Sequence, residues 1–394
     1  MSGPLAGLTV LDLSQLAQGP FATQMLGDMG ADVIKVEPPK GDWMRHFAMA
    51  NAYLNGHSTS FLSLNRNKRS IAIDLKTDAG KEILLGLVEQ SDVLIENFRP
   101  GVMERLGIGY DRLAEVNPRL VYCASSGYGQ DGPYRERPGQ DLLVQALTGL
   151  TYLNGTADDP PVPVGIGIAD LAAGMHIVIG VLSALHHRHV TGKGQRVDVN
   201  LLDSILALQA QELVTYLNTG VQPERSANGV PNPFLGAPYG VYRTADGYIA
   251  LAMNRVDVVA RLVGVDGYED VTSNNVLEGR DDVRSRLAER FLVKTTKEWL
   301  DILLAEDVWC AEVNDYSMVV EDPQIRHNQM ITSYEHPEAG EVKVLGNPIR
   351  FSAAERTPPR PAPLLGGDTK TVLTERLGYS EERVRQLVEQ GVVT

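Results

Sequence analysis

A single carboxylate, Asp170, stands where a small apolar run opens into a long apolar stretch: Val164-Gly165-Ile166-Gly167-Ile168-Ala169-Asp170-Leu171-Ala172-Ala173-Gly174-Met175. The residue type and its place fit nucleophilic chemistry. A helix N-terminus favours a negative side chain by about 0.3–1 kcal/mol. That would keep the acid ionised and aimed outward, as attack on a carbonyl requires. The same residue at the same place also fits a helix N-cap, and spacing alone favours the cap. What decides between the two is the rest of the chain.

Other constellations are weaker. His186-His187-Arg188-His189 invites a metal reading, but neighbouring helix positions point in different directions. Histidines closing a helix, where cationic groups are accommodated, explain the run better, and no metal is expected. No Gly-x-Gly-x-x-Gly follows the first apolar strand, and there is no Walker A sequence; the turn reads Ser14-Gln15-Leu16-Ala17-Gln18-Gly19-Pro20. Dinucleotide and P-loop chemistry therefore fit poorly. Lys40, Arg45, Lys76, Arg99, Arg105, Arg135 and Arg137 lie at or near expected strand ends, and Asn65-Arg66-Asn67-Lys68-Arg69 adds a basic cluster. Singly each reads as a solvated charge; converging, they would hold phosphates.

The elements that position these residues alternate. Strands are expected at 8–13, 31–37, 70–75, 92–97, 120–125 and 196–200. Helices are expected at 20–29, 78–90, 170–187 and 203–218, with an amphipathic stretch at 112–116. Such alternation implies an α/β domain, a parallel sheet with helices on its faces. Ligands then bind beyond the carboxyl ends of the strands. The Pro-, Gly- and Asn-rich stretch 222–238 marks a boundary. Residues 1–221 form a large α/β domain. Residues 222–330 form a smaller α+β unit with a strand at 247–253 and helices at 256–263, 281–291 and 297–306. Residues 331–394 are read as a linker, with prolines 358, 359, 361 and 363, and C-terminal helices returning to the large domain.

Composition bounds the rest. The 394 residues exceed one simple core. A net charge of −14 argues against nucleic acid or an anionic membrane as partner. The two cysteines, Cys123 and Cys310, make no disulfide framework. With no leader-like stretch read at the N-terminus, a reducing cytoplasm is the expected location.

Several segments together resemble a known family. They are Gly7-Leu8-Thr9-Val10-Leu11-Asp12-Leu13 with Gly19-Pro20, Leu26 through Glu37, Asn67-Lys68-Arg69-Ser70-Ile71, Asp74-Leu75-Lys76 and Glu96-Asn97-Phe98-Arg99-Pro100-Gly101. Asn117 through Tyr122, Gly127 through Tyr134 and Thr191-Gly192-Lys193-Gly194-Gln195 complete the set. In this order they resemble the family III CoA-transferases, the group of formyl-CoA transferase, the carnitine-type CoA-transferases and α-methylacyl-CoA racemase. The resemblance implies a Rossmann-like large domain, a small inserted domain and an interlocked homodimer. It implies acyl-CoA and a small carboxylic acid as substrates, with coenzyme A entering as substrate and no tightly bound cofactor. CoA contacts would fall on Gln18, Ile73, Asp74, Lys76, Asn97, Phe98, Arg99 and Arg105, and the catalytic aspartate on Asp170. Asp170 would pass through an aspartyl anhydride and an aspartyl-CoA thioester.

Departures from the family's branches narrow the reading. The racemase branch resembles this chain around Arg137-Pro138-Gly139-Gln140-Asp141, but carries a histidine where Gln140 stands. A glutamine does not shuttle protons near neutral pH, so Gln140 is expected to line the acyl site of a transferase. The racemase acid would fall near Asn254-Arg255, where neither residue is acidic. Against formyl-CoA transferase, Pro38 replaces an arginine and Ala17 a glutamine. Asn228 through Gly236 also lacks a glycine run, so a larger acceptor, such as a dicarboxylate or a branched or aromatic acid, is expected. A racemase-type isomerase and a CoA-binding protein without turnover are the alternatives. Asp141 either orients Gln140 or caps the following helix.

Overall fold

The computed structural model describes residues 3–354 and 358–394. Six strands form one sheet: Thr9–Asp12 (β1), Asp32–Glu37 (β2), Lys68–Ala72 (β3), Val93–Glu96 (β4), Val121–Ser126 (β5) and Gln195–Asn200 (β6). Their order is β3-β2-β1-β4-β5-β6, and every neighbouring pair is parallel. Runs such as Val93-Leu94-Ile95 and Val121-Tyr122-Cys123 are buried throughout, because helices cover both faces and leave no polar side to alternate with. β3 begins earlier than its apolar run suggests, at Lys68, because that lysine is itself buried.

The chain builds outward from β1 to β3, then returns to lay β4 on the other side of β1. That reversal opens a crevice between the ends of β1 and β4, the usual ligand position in such sheets. Four helices matter to it: Gln18–Asp28 (α1), Asp78–Glu89 (α2), Asp141–Leu147 (α3) and Ile168–Thr191 (α4). On one face, Ala22 and Leu26 of α1 and Ile177, Val178 and Val181 of α4 pack on Val10, Val93 and Cys123. By length and composition α4 is apolar enough to cross a membrane, but here it is the crossover helix between β5 and β6. On the other face, Ile83, Leu84 and Leu87 of α2 meet Leu11 and Leu94, with Val372, Leu373, Val384 and Leu387 from the helices Thr369–Leu377 and Glu381–Glu389. The last residues run beside the end of β3: Asp74 N–H donates to Val392 O at 2.8 Å and Thr394 N–H to Ala72 O at 3.1 Å.

The chain divides into two compact units. One comprises residues 1–144, 167–205 and 324–394, the other residues 145–166 and 206–323. The larger unit also contains a hairpin, Ile331–His336 with Gly340–Leu345, in a segment read from sequence as linker. Tyr334, Val342 and Val344 bury against Met44, Phe61 and Leu62, and Tyr334 Oη donates to Leu62 O at 2.8 Å. The expected helix over 203–218 is two helices, Leu201–Leu208 and Glu212–Thr219. The smaller unit has a three-stranded antiparallel sheet, Gly240–Arg243, Tyr248–Leu251 and Cys310–Glu312, with Tyr248–Leu251 in the middle. Helices Val256–Val263, Arg280–Phe291 and Thr296–Leu304 pack on one side of it around Tyr242, Phe291 and Trp299.

Candidate active site

The loops beyond the carboxyl ends of β1, β3, β4 and β5 carry most of the expected site residues. At the crevice itself, Asn97 clasps the loop after β1: its Oδ1 accepts Gln15 N–H at 2.8 Å and its Nδ2 donates to Gln15 O at 2.8 Å. Beneath that loop lies a buried ionic group. Asp12, Lys35, Asp42 and Lys68 are all almost fully shielded. Lys68 Nζ sits 2.9 Å from Asp12 Oδ2, and Lys35 Nζ donates to Ser14 O at 2.8 Å while pairing with Asp42 at 2.9 Å. Burial works against the charge on Asp12, but Lys68, Lys35 and hydrogen bonds from Ser14 and Thr23 outweigh it and hold the acid at about 2. Charges buried this way persist only when paired and hydrogen-bonded; here they fix the turn from which Gln18 starts α1.

Gln18 is buried, and its Oε1 accepts the Ser125 hydroxyl at 2.8 Å, joining the top of α1 to β5. α4 crosses α1 at Gly174, where a side-chain carbon would meet Phe21 Cδ1 at 2.7 Å and Gln18 O at 2.9 Å. Only glycine lets the helices approach this closely. Asp170 lies one turn before Gly174 on α4, so this contact brings Asp170 to the Gln18 end of α1.

Asp170 is not the cap of its helix. Gly167 precedes the first turn, and the capping acceptor comes from elsewhere: Asp141 Oδ1 takes the N–H of Ala169 at 2.6 Å and that of Asp170 at 3.4 Å. Nor is the aspartate held comfortably ionised, as the helix terminus alone suggests. Burial, reinforced by the negative charge of Asp141, pushes its carboxyl up to about 7. A half-buried acid balanced near neutrality, bonded to no cation, is what a carboxylate nucleophile or acid–base group looks like. Gln140 is exposed, and its Oε1 accepts Leu142 N–H at 3.1 Å, so the glutamine caps α3.

The remaining expected residues divide. Ile73 is buried beside the C-terminal tail, and Asp74 Oδ1 accepts Lys76 N–H at 3.0 Å, turning the chain after β3. Phe98 packs on the core, with its N–H donated to Glu96 Oε2 at 2.8 Å. Burial pushes Glu96 up to about 7. Lys76, Arg99 and Arg105 are exposed. Several basic residues expected to gather on phosphates are engaged with other side chains of the protein. Arg45 makes two 2.7 Å bonds to Glu37 and lies 3.8 Å over Phe61. Arg66 pairs with Asp28 and Arg69 with Asp32. Arg137 stacks 3.7 Å over Tyr134. Among the described residues, no group of three or more potential metal ligands converges. At the place of a racemase acid, Asn254 bonds Ala252 O, Trp309 O and Trp309 N–H, and Arg255 pairs with Asp257; both are occupied structurally.

Residues 5–369 match the family model described as CoA-transferase family III. Human succinyl-CoA:glutarate CoA-transferase is 34% identical, over 99% of this chain and 90% of its own length. Succinyl-CoA:mesaconate CoA-transferase of Haloarcula hispanica is 35% identical, over 97% and 99%. Among solved structures, a CAIB/BAIF family protein from Brucella suis superposes with a TM-score of 0.85 at 33% identity, covering 95% of this chain and all of that one.

Proposed function

Because the chain belongs to CoA-transferase family III, and is thus an enzyme that moves CoA from an acyl thioester to a carboxylate, we propose that Asp170 is its covalent nucleophile. The Asp170 carboxylate attacks the donor thioester carbonyl and expels CoA thiolate, leaving a mixed anhydride. The thiolate attacks the aspartyl carbonyl, which frees the donor acid and leaves an aspartyl-CoA thioester. The acceptor carboxylate attacks that thioester, forming a second anhydride and releasing thiolate again. Attack of the thiolate on the acceptor's acyl carbon completes acyl-CoA and restores Asp170. Covalent capture divides one hard exchange into easier steps. The observation that carries this reading is the half-buried Asp170 pushed up to about 7 with no cation beside it: once ionised it is poorly solvated and correspondingly reactive.

CoA lies across the crevice at the ends of β1 and β4, meeting Gln18, Asp74, Lys76, Asn97, Phe98, Arg99 and Arg105, with the buried Ile73 behind them. Gln140 lines the acyl end. Both relatives named above take succinyl-CoA and a dicarboxylate, which supports a dicarboxylate acceptor here. The functional unit is a homodimer, interlocked as the family resemblance implies, with residues 222–330 as an inserted domain. Met175 and Ile179, one turn apart on α4, are exposed, as apolar residues awaiting a partner surface are. Two free cysteines, one of them buried, suit a reducing cytoplasm.

The test is trapping. Incubation with succinyl-CoA followed by hydroxylamine or borohydride marks the peptide containing Asp170, read by mass spectrometry. Asp170→Asn abolishes both the mark and exchange between labelled free acid and acyl-CoA. Exchange at full rate in that variant overturns the covalent route. Exchange of the α-proton of acyl-CoA for deuterium from deuterated water, without any free acid, indicates an isomerase instead.

A further inference from the structure

Gly101 ends the loop after β4, with a φ of 82°. A side-chain carbon there would lie 3.0 Å from Nη1 of Arg105 and 3.0 Å from Nη2 of Arg135. Two guanidinium groups thus face one point, and their nitrogens are separated by no more than twice that distance. They arrive from different directions: Arg105 follows β4, and Arg135 sits in the loop after β5, the neighbouring strand. Arg135 is held in this pose. Its Nε donates to Gln130 O at 2.9 Å and its Nη1 to Glu136 Oε1 at 2.8 Å, which leaves Nη2 for the point above Gly101. Among the described residues the Arg105 guanidinium makes no hydrogen bond or ion pair.

Like charges aimed at one point repel unless an anion lies between them. Glycine lets both guanidiniums close over the backbone here, where a Cβ would crowd them, and it tolerates the positive φ. We propose that Arg135, acting with Arg105 above Gly101, seats the phosphomonoester at the nucleotide end of the CoA substrate. Charge density favours that group over the diphosphate: both carry about two negative charges near pH 7, but a phosphomonoester gathers them on one phosphorus, within reach of Arg135 Nη2 and the Arg105 guanidinium together. This assignment rests on the CoA-transferase reading and adds to it a residue, Arg135, and a chemical address.

Calorimetric titration of the full-length protein with CoA and with 3′-dephospho-CoA tests it. The wild type is expected to prefer CoA by about 10–100-fold. Arg135→Gln should remove most of that preference while leaving affinity for dephospho-CoA unchanged. Arg105→Gln should behave alike and carries the test should the first variant fail to fold. Equal binding of both ligands by the wild type overturns the proposal, as does an Arg135→Gln variant that weakens both alike, since the arginine would then hold the diphosphate, or one that changes neither, since it would then hold no part of the ligand. Failure to bind CoA at all overturns the CoA reading together with it.

Discussion

Asp141 and Asp170 share one helix terminus: the carboxylate of the first accepts the backbone N–H of the second, and of Ala169 beside it, at the opening turn of α4. One acid therefore does what the terminus would otherwise do for the other. It neutralises the helix N–H groups and adds a negative charge close to Asp170, so burial, the larger cause, and the Asp141 charge together raise the reactive carboxyl where a helix N-terminus alone would lower it.

Asp141→Asn separates the two effects. The amide oxygen still caps α4, but the charge is gone, so Asp170 titrates lower. Turnover requires ionised Asp170, so in the wild type kcat/KM should rise with pH through about 7. In Asp141→Asn that acid limb should move down by about one unit, with little loss of stability. Asp141→Ala removes the cap as well and should cost about 1–2 kcal/mol. A pH–rate profile with an unmoved acid limb in the Asn variant would show that Asp141 does not set the titration of Asp170.

Asp170 itself should destabilise the fold. Its folded pKa, about 7, lies above the ordinary 3.8, so the folded state holds a proton that the unfolded chain releases between those values. Stability therefore falls as pH rises from about 4 to about 7 and stays low above. Asp170→Asn should unfold at higher urea than wild type at pH 8, by about 2–4 kcal/mol, and the gap should narrow towards pH 5. A variant equally stable at both pH values contradicts the burial of this acid.

Much of this was legible in the sequence, for physical reasons. Runs such as Asp32-Val33-Ile34-Lys35-Val36-Glu37 read as strands because β-branched residues bounded by turn signals do little else at that length. Once the strands are placed, Gln18 and Asn97 fall beyond the ends of β1 and β4 and Asp170 at the start of the long helix α4; the roles expected of them came from the family resemblance. What stayed hidden depends on contacts between distant residues. The Asp141 bond to α4 spans 28 residues. Lys68 reads as part of a solvated basic cluster until Asp12, 56 residues away, is found against it. The hairpin over 331–345 was readable in principle: Tyr334 and His336 alternate before the His-Pro-Glu-Ala-Gly turn, and Val342 and Val344 after it. Its neighbouring prolines drew the reading towards linker.

The Asp12–Lys68 pair makes the next prediction. Lys68→Met leaves a buried acid without its nearest cation and should cost about 3–5 kcal/mol. Adding Asp12→Asn should recover a large part of that loss, because the uncompensated charge is removed. Urea unfolding of the two single variants and the double variant gives the coupling directly. Additive losses would mean that the two charges are solvated independently.

Gly174 ties stability to the site most directly. Its missing side chain lets α4 lie against Gln18 O and Phe21 of α1, and the backbone oxygen cannot swing aside as a flexible side chain can. Gly174→Ala should therefore push the helices apart by a few tenths of an ångström and cost about 1–3 kcal/mol. Asp170 is one turn away on the same helix, and Gln18 is the residue touched. The displacement should thus lower kcat more than the modest stability loss explains, by about 10-fold or more, with the protein still folded and saturable by acyl-CoA. Circular dichroism melts alongside exchange assays would show it. A variant that loses stability but keeps wild-type kcat would mean that the α1–α4 contact supports the core without setting the geometry of the reacting carboxylate.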